Sequence, residues 1–167
     1  MKPTDFHKTA TLLKNSREQC DIRTSVNRSY YGLFLFIREF LKNQGVELPS
    51  RRLISHHQFV LECLHESRFF ADVDDKYSKS TKKNARQKDK TIYSIYARLK
   101  SLLQRRTDAD YSLQLTFRVT DSEDSLRLAT TSVTDFAKLN GSKREQHIIK
   151  IANQYAKNII LTRTNKR

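Results

Sequence analysis

The segment from Asp21 to Gln44 constrains the fold more than any other, because it predicts a long helix with almost no polar side. Its apolar residues follow helical spacing: Val26, Tyr30, Leu33, Phe34, Ile37 and Leu41. Between Tyr30 and Ile37, further apolar residues surround the helix on every side. Such a helix lies centrally in a bundle or partly in a subunit interface. Gly45 follows as its stop signal.

Other segments also predict helices, and the 167 residues contain only three Gly and two Pro to form turns. Thr4 and Asp5 are placed to cap a first helix. Ser55 is placed to cap a third helix that runs to about Ser67, and a fourth begins at Thr91 with apolar residues at helical spacing. This composition argues against a β-sandwich or barrel.

Two further helices are predicted by the spacing of capping boxes. They are Thr120-x-x-Glu123 for a fifth helix and Ser142-x-x-Glu145 for a sixth. Between the fourth and fifth helices, apolar and polar residues alternate over residues 112–120, which is the period of a strand. We therefore expect an all-α, up-and-down helical bundle over residues 1–141, with an additional helix and a basic tail over 142–167.

The charge balance indicates an anionic partner. The chain has 32 Lys and Arg against 18 Asp and Glu, a net charge of +14, and such an excess most often serves RNA or DNA binding. The basic segment Lys76–Lys90 is a candidate nucleic-acid contact or simply a solvated face. Its candidate binding residues are Lys79, Lys82, Lys83, Arg86, Lys88 and Lys90.

No signal peptide or membrane span is visible in the sequence, so we expect a cytoplasmic protein without a membrane partner. Cys20 and Cys63 show neither metal-ligand nor disulfide spacing. No glycine-rich phosphate loop occurs. We accordingly expect neither a metal nor a cofactor.

Arg106 is the most informative single residue, because it continues the apolar stripe of the fourth helix. A cation on an inward face has to find an anion, and Asp110 follows at a spacing that places it on the same helix face. One interpretation is an Arg–Asp brace between helices. The other interpretation includes Arg28, which lies at the edge of the all-apolar stretch. Two arginines around the single carboxylate of Asp110 would leave one positive charge that can bind a phosphate.

Two motifs resemble those of the HEPN-domain family. Arg28-Ser-Tyr-Tyr-Gly-Leu-Phe-Leu-Phe-Ile-Arg-Glu-Phe-Leu41 is similar to the second helix of these proteins, and Arg106-Thr-Asp-Ala-Asp-Tyr111 matches their R-x-x-A-D-Y box. His57 also falls where many members place a histidine. The resemblance spans about residues 21–137. It implies a helical bundle, usually dimeric, that is associated with RNA cleavage, toxin–antitoxin pairs or antiviral defence.

The sequence departs from the ribonuclease members of that family. Those members carry an Arg followed after four to six residues by a His, whereas Tyr111 stands at that distance from Arg106. The spacing is instead met by Arg51 with His56, and by Arg52 with His57, at the start of the third helix. These residues are candidates for RNA cleavage without a metal, or for a helix-capping histidine pair with solvated arginines.

Three functions therefore remain open for the chain. The first is a HEPN-like protein that binds RNA or nucleotide through basic residues, with degenerate catalysis. The second is an active, metal-independent HEPN endoribonuclease that uses Arg106 and a histidine converging in one cleft. The third is a non-catalytic adaptor between proteins. The resemblance also implies a homodimer and a cognate antitoxin or nucleotidyltransferase as partners.

Overall fold

The computed structural model describes residues 2–69 and 89–164, and within these ranges the chain forms six helices and no strand. They are α1 Pro3–Leu13, α2 Gln19–Asn43, α3 His56–Ser67, α4 Lys90–Tyr111, α5 Val119–Ala137 and α6 Lys143–Thr164. The prediction of an all-α helical bundle is confirmed. None of the helices in the described part of the chain combines the length and apolarity that crossing a membrane requires.

Helix α2 lies at the centre of the bundle, packed against α1, α3, α4 and α5. Helix α1 runs antiparallel to it, because Ser25 donates a hydrogen bond to the Ala10 carbonyl (3.0 Å) while the rings of Phe6 and Tyr31 lie 5.9 Å apart. This central position buries most of the apolar surface of α2, while Tyr31, Leu35, Phe36 and Phe40 stay partly exposed.

The hydrophobic core joins α6 to the other helices. The buried α6 residues Ile148, Ala152 and Ala156 belong to the same cluster as the buried residues of α2. On the face of α6 toward α3, the rings of Tyr155 and Phe59 are stacked at 5.8 Å. The additional C-terminal helix therefore shares one core with residues 1–141.

The predicted helix starts agree with the structure at α3 and α6. The Ser55 hydroxyl caps α3 by accepting a hydrogen bond from the Gln58 N–H at 3.2 Å. The Ser142 hydroxyl accepts one from the Glu145 N–H at 3.3 Å, and the Glu145 carboxylate accepts one from the Gly141 N–H. Side-chain acceptors at these positions satisfy amides that have no partner inside the helix.

The capping box predicted for the fifth helix is wrong by two residues. Helix α5 begins at Val119, and the carboxylate of Asp121 accepts a hydrogen bond from the Arg118 N–H at 2.7 Å. Thr120 therefore lies inside the first turn rather than before it. Asp121 reaches the backbone in the way predicted for Glu123.

The strand considered for residues 112–120 is also corrected, because 112–118 form an irregular connection between α4 and α5. Its backbone groups bond to side chains of α2 instead of to a partner strand. Arg23 donates to four carbonyl oxygens, those of Ala109, Ser112, Leu113 and Leu115, at 2.6–3.3 Å. A second α2 side chain, Gln19, both donates to and accepts from the backbone of Phe117.

Candidate functional site

An open cleft of about 600 Å³ lies where α1, α2 and the start of α3 meet. We call it the arginine cleft. Its basic lining residues are Arg28, Arg38, Arg51, His56 and His57, and the others are Phe6, Tyr31, Phe34, Leu35 and Ser55. No carboxylate among the described residues lines this cleft. Its walls therefore carry positive charge without a negative group between them.

Aromatic rings hold two of these arginines in place. The guanidinium carbon of Arg28 lies 5.2 Å from the ring centroid of Phe6, and that of Arg38 lies 5.8 Å from the centroid of Phe34. A guanidinium over an aromatic face is attracted by the ring and restricted in its motion. Its N–H groups lie around its edge, where they donate to acceptors in the plane of the guanidinium.

Carboxylate partners for the three arginines are scarce. Arg38 donates to the neighbouring Glu39 at 2.5 Å, and this hydrogen bond lowers the pKa of the Glu39 carboxyl. The half-buried Arg28 and the exposed Arg51 form no ion pair with a residue in the described ranges. Two guanidinium groups at the cleft are thus uncompensated.

His57 is held by a buried tyrosine. The Tyr30 hydroxyl and the Nδ1 atom of His57 are 2.6 Å apart, and Tyr30 is completely buried. Burial raises the pKa of the Tyr30 phenol, so that it keeps its proton. His57 is the one hydrogen-bond partner of this hydroxyl among the described residues, and a buried hydroxyl needs an acceptor for its hydrogen. We therefore assign Tyr30 as the donor to Nδ1. The imidazole therefore carries its own proton on Nε2.

The surroundings keep His57 neutral. Burial lowers the pKa of His57, and the nearby charges of Arg106, His56, Arg51 and Arg38 lower it further. The His57 ring is also stacked on Phe34 at 4.1 Å. A neutral imidazole with Nδ1 occupied offers an Nε2–H donor rather than a base.

The start of α3 adds a second histidine and a helix N-terminus beside His57. The Nε2 atom of His56 lies 3.1 Å from the Pro49 carbonyl oxygen, while its Nδ1 atom is buried without a partner among the described residues. Ser55, His56 and His57 all line the cleft, so the N-terminal turn of α3 opens onto it. The positive end of the helix dipole favours an anion at such a position.

Arg106 lies in a second polar group next to the cleft. Its Nη2 atom pairs with the Asp110 carboxylate at 2.7 Å, and both side chains are only partly exposed, 23% and 25% respectively. Asp110 also accepts a hydrogen bond from Asn27 on α2 at 2.5 Å. This arrangement links α4 to α2. Arg28 does not join it, since its guanidinium lies against Phe6.

Tyr31 connects Arg106 to the cleft. The Arg106 guanidinium carbon lies 5.7 Å from the ring centroids of both Tyr31 and Tyr111, and the Tyr31 ring lies 5.9 Å from that of His57. Partial burial opposes the charge of Arg106, but Tyr31, Asp110 and Tyr111 together raise its pKa. Arg106 and His57 therefore both lie near the Tyr31 ring.

The structure brings together most of the residues that the sequence singled out. Arg28, Arg51, His56 and His57 line the arginine cleft, and the group of Arg106, Asp110 and Tyr111 lies beside it. The predicted nucleic-acid contacts at Lys79, Lys82, Lys83, Arg86 and Lys88 lie outside the described residues, and Lys90 is exposed at the start of α4.

Two residues of the site were missed by the sequence reasoning. Tyr30 follows the apolar spacing of α2, which is typical of a core residue, and Arg38 directly follows the apolar stretch that ends at Ile37. The one available signal was that Arg38 closes the apolar run.

One group of possible metal ligands occurs elsewhere in the described part of the chain. Glu62, His65 and Glu66 lie on one face of α3, with ligand atoms within 4.8 Å of one another. His65 and Glu66 already form a hydrogen-bonded pair at 2.9 Å. Their spacing is that of ordinary side-chain pairs on a helix surface.

Comparisons with protein-family models, with curated proteins and with solved structures find no match to this chain. The resemblance to the HEPN family thus depends on the two sequence motifs alone.

Proposed function

We propose that this protein binds RNA and that the arginine cleft holds its phosphate groups. The observation that carries the proposal is a cleft with three arginines, two histidines and a helix N-terminus, and with no carboxylate in its described lining. Charged N–H donors form the strongest hydrogen bonds to phosphate oxygens, and arginine adds a bidentate geometry. The net charge of +14 supports an anionic polymer as the partner.

The chemistry of His57 favours binding over cleavage. A general base needs a free lone pair on the nitrogen that faces the substrate. With Tyr30 donating to Nδ1, the remaining nitrogen of His57 carries a hydrogen and donates to an acceptor. A neutral donor of this kind suits a phosphate oxygen.

The test is equilibrium binding of a fluorescently labelled single-stranded RNA to the full chain. Replacing Arg28 or Arg51 with Ala removes one guanidinium from the cleft, so we expect weaker binding and a smaller dependence of affinity on salt. Arg127→Ala is the matched control, because it removes the same charge from a side chain that is 69% exposed on α5. An equal loss of RNA affinity in all three variants would argue against the arginine cleft as the RNA-binding site.

The basic segment Lys76–Lys90 is a second contact in this proposal. Replacing Lys79, Lys82, Lys83 and Arg86 together with Ala removes four charges, which should weaken binding and flatten its salt dependence because fewer counterions are released. An unchanged salt slope would confine the RNA contact to the rest of the chain.

An active, metal-independent endoribonuclease is the second candidate, favoured by the position of both Arg106 and His57 near the Tyr31 ring. Incubation of the protein with total RNA in EDTA tests it, with Arg106→Ala and His57→Ala as the variants. Cleavage by the unchanged protein and by neither variant would establish the enzyme. Arg106→Lys separates the roles further, because it keeps the charge but loses the bidentate geometry.

The HEPN resemblance adds a biological setting to the proposal. Members of that family are associated with toxin–antitoxin pairs and antiviral defence, and we propose the same type of role here. A neighbouring gene for an antitoxin or a nucleotidyltransferase would support this setting.

A further inference from the structure

We infer that the arginine cleft recognises a phosphomonoester at the end of an RNA strand rather than a phosphodiester within it. This inference rests on the proposed function, because it names the part of the RNA that the same cleft takes. It follows from the charge, the donors and the aromatic lining of the cleft.

The charge of the cleft matches a dianion. Arg28, Arg38 and Arg51 supply three positive charges to the lining, and Glu39 compensates one of them. His57 adds none, since its surroundings keep the imidazole neutral. The arginines of the lining therefore leave a surplus of two positive charges, which corresponds to a group with two negative charges. A terminal phosphate carries nearly two near pH 7, whereas each internal phosphodiester carries one.

The donors of the cleft suit a group with three free oxygens. The guanidinium groups of Arg28 and Arg51 have no carboxylate partner among the described residues, so their N–H groups remain available. His57 contributes an Nε2–H, and the positive end of the α3 dipole lies beside it. A terminal phosphate presents three such oxygens, and an internal phosphodiester presents two.

The aromatic residues of the cleft hold arginines rather than bases. The ring of Phe6 carries Arg28, and the ring of Phe34 carries Arg38 and is stacked on His57. Reading of single-stranded bases depends on aromatic faces that are open for stacking. The cleft is therefore suited to recognise the phosphate of a strand end without regard to the base that follows.

The experiment compares one RNA sequence of 12 nucleotides in three forms: with a 5′-phosphate, with a 3′-phosphate, and with hydroxyl groups at both ends. A fluorescent base inside the strand reports binding by anisotropy. We expect at least one phosphorylated form to bind about ten-fold more tightly than the hydroxyl form, and the pair of phosphorylated forms shows which end is preferred. Inorganic phosphate should compete with the preferred form.

Variants assign this preference to the cleft. Arg51→Glu reverses a charge on an exposed side chain, so it should abolish the preference while the fold, checked by circular dichroism, is retained. Arg28→Ala should reduce the preference, and Arg127→Glu on α5 should leave it unchanged. Equal affinity for all three RNA forms, with all of them weakened by Arg51→Glu, would overturn this inference and leave RNA binding intact. Failure of every form to bind would overturn the proposed function itself.

Discussion

Replacing Asp110 with Ala tests whether the Arg106 group holds α4 against α2. The Asp110 carboxylate pairs with Arg106 at 2.7 Å and accepts a hydrogen bond from Asn27 at 2.5 Å, so the substitution leaves two donors without an acceptor. Removing one partner of a buried ion pair costs about 3–5 kcal/mol, whereas an exposed pair contributes at most about 1 kcal/mol.

The partial burial of this pair places the cost between those limits. Both side chains are about three-quarters buried, at 23% and 25% exposure, so Arg106 regains some hydration when its partner is lost. Asp110 also lies in the last turn of α4, where a negative charge is unfavourable beside the negative end of the helix dipole. Removing this charge therefore stabilises the fold by about 0.3–1 kcal/mol. We therefore expect Asp110→Ala to lower the free energy of unfolding by about 2 kcal/mol.

Urea denaturation of the full chain measures this change. With a slope of about 2 kcal/mol per molar urea, the midpoint should fall by about 1 M. Asp108→Ala is the matched control, because Asp108 lies in the same turn and accepts its hydrogen bond from the exposed Gln104. We expect the control to lower the free energy of unfolding by at most about 0.5 kcal/mol. Equal urea midpoints for the two variants would refute a structural role for the Arg106–Asp110 pair. A decrease of more than about 4 kcal/mol in the free energy of unfolding of Asp110→Ala would show that water does not reach Arg106 in that variant.

Three further predictions concern the packing of α1, the histidines and the assembly. In Gly32→Ala the new Cβ would lie 2.2 Å from the His7 ring. We expect a loss of about 1–3 kcal/mol in urea melts, which the additional change His7→Ala should reduce; no loss in the single variant would contradict the close contact. Burial lowers the pKa of His7, His57 and His147 below 6.5. The unfolded chain therefore binds more protons below that value, and the urea midpoint should fall between pH 7 and pH 5; an equal or higher midpoint at pH 5 would contradict this. A homodimer through α2 and its neighbours stays a prediction, which light scattering at tens of micromolar tests, and a monomer mass would count against it.

The helices were predictable because their apolar residues recur at one spacing over long segments. The buried residues Ile92, Ile95, Leu99 and Leu102 of α4 illustrate this, since their spacing alone defines a face. The alternation of apolar and polar residues near 112–120 led to a wrong prediction, because a strand also needs a second strand to pair with and the described residues contain none. Arg23 and Gln19 of α2 satisfy the backbone there, and their side chains give no such signal in the sequence.

The arginine cleft was only partly predictable for a similar reason. Arg51, His56 and His57 attracted notice through their spacing, and Arg28 through its position at the edge of an apolar run. Tyr30 has the same spacing as the core residues around it, and nothing in the sequence indicates that its hydroxyl bonds to His57. Contacts between distant segments determine which nitrogen of a histidine carries the proton, so a sequence pattern cannot supply that information.

The R-x-x-A-D-Y box has a physical role in this fold that does not depend on catalysis. Arg106 and Asp110 form an ion pair one helical turn apart, and Tyr111 lies against the Arg106 guanidinium. The small side chain of Ala109 is 5% exposed and belongs to the cluster that packs α4 on α2, and its carbonyl accepts a hydrogen bond from Arg23. Arg106, Ala109 and Asp110 thus stabilise the contact between α4 and α2, whereas Tyr111 is exposed and contacts Arg106 within α4. A motif with these contacts indicates the fold more directly than it indicates a nuclease, so the catalytic question depends on His57 and the RNA assays.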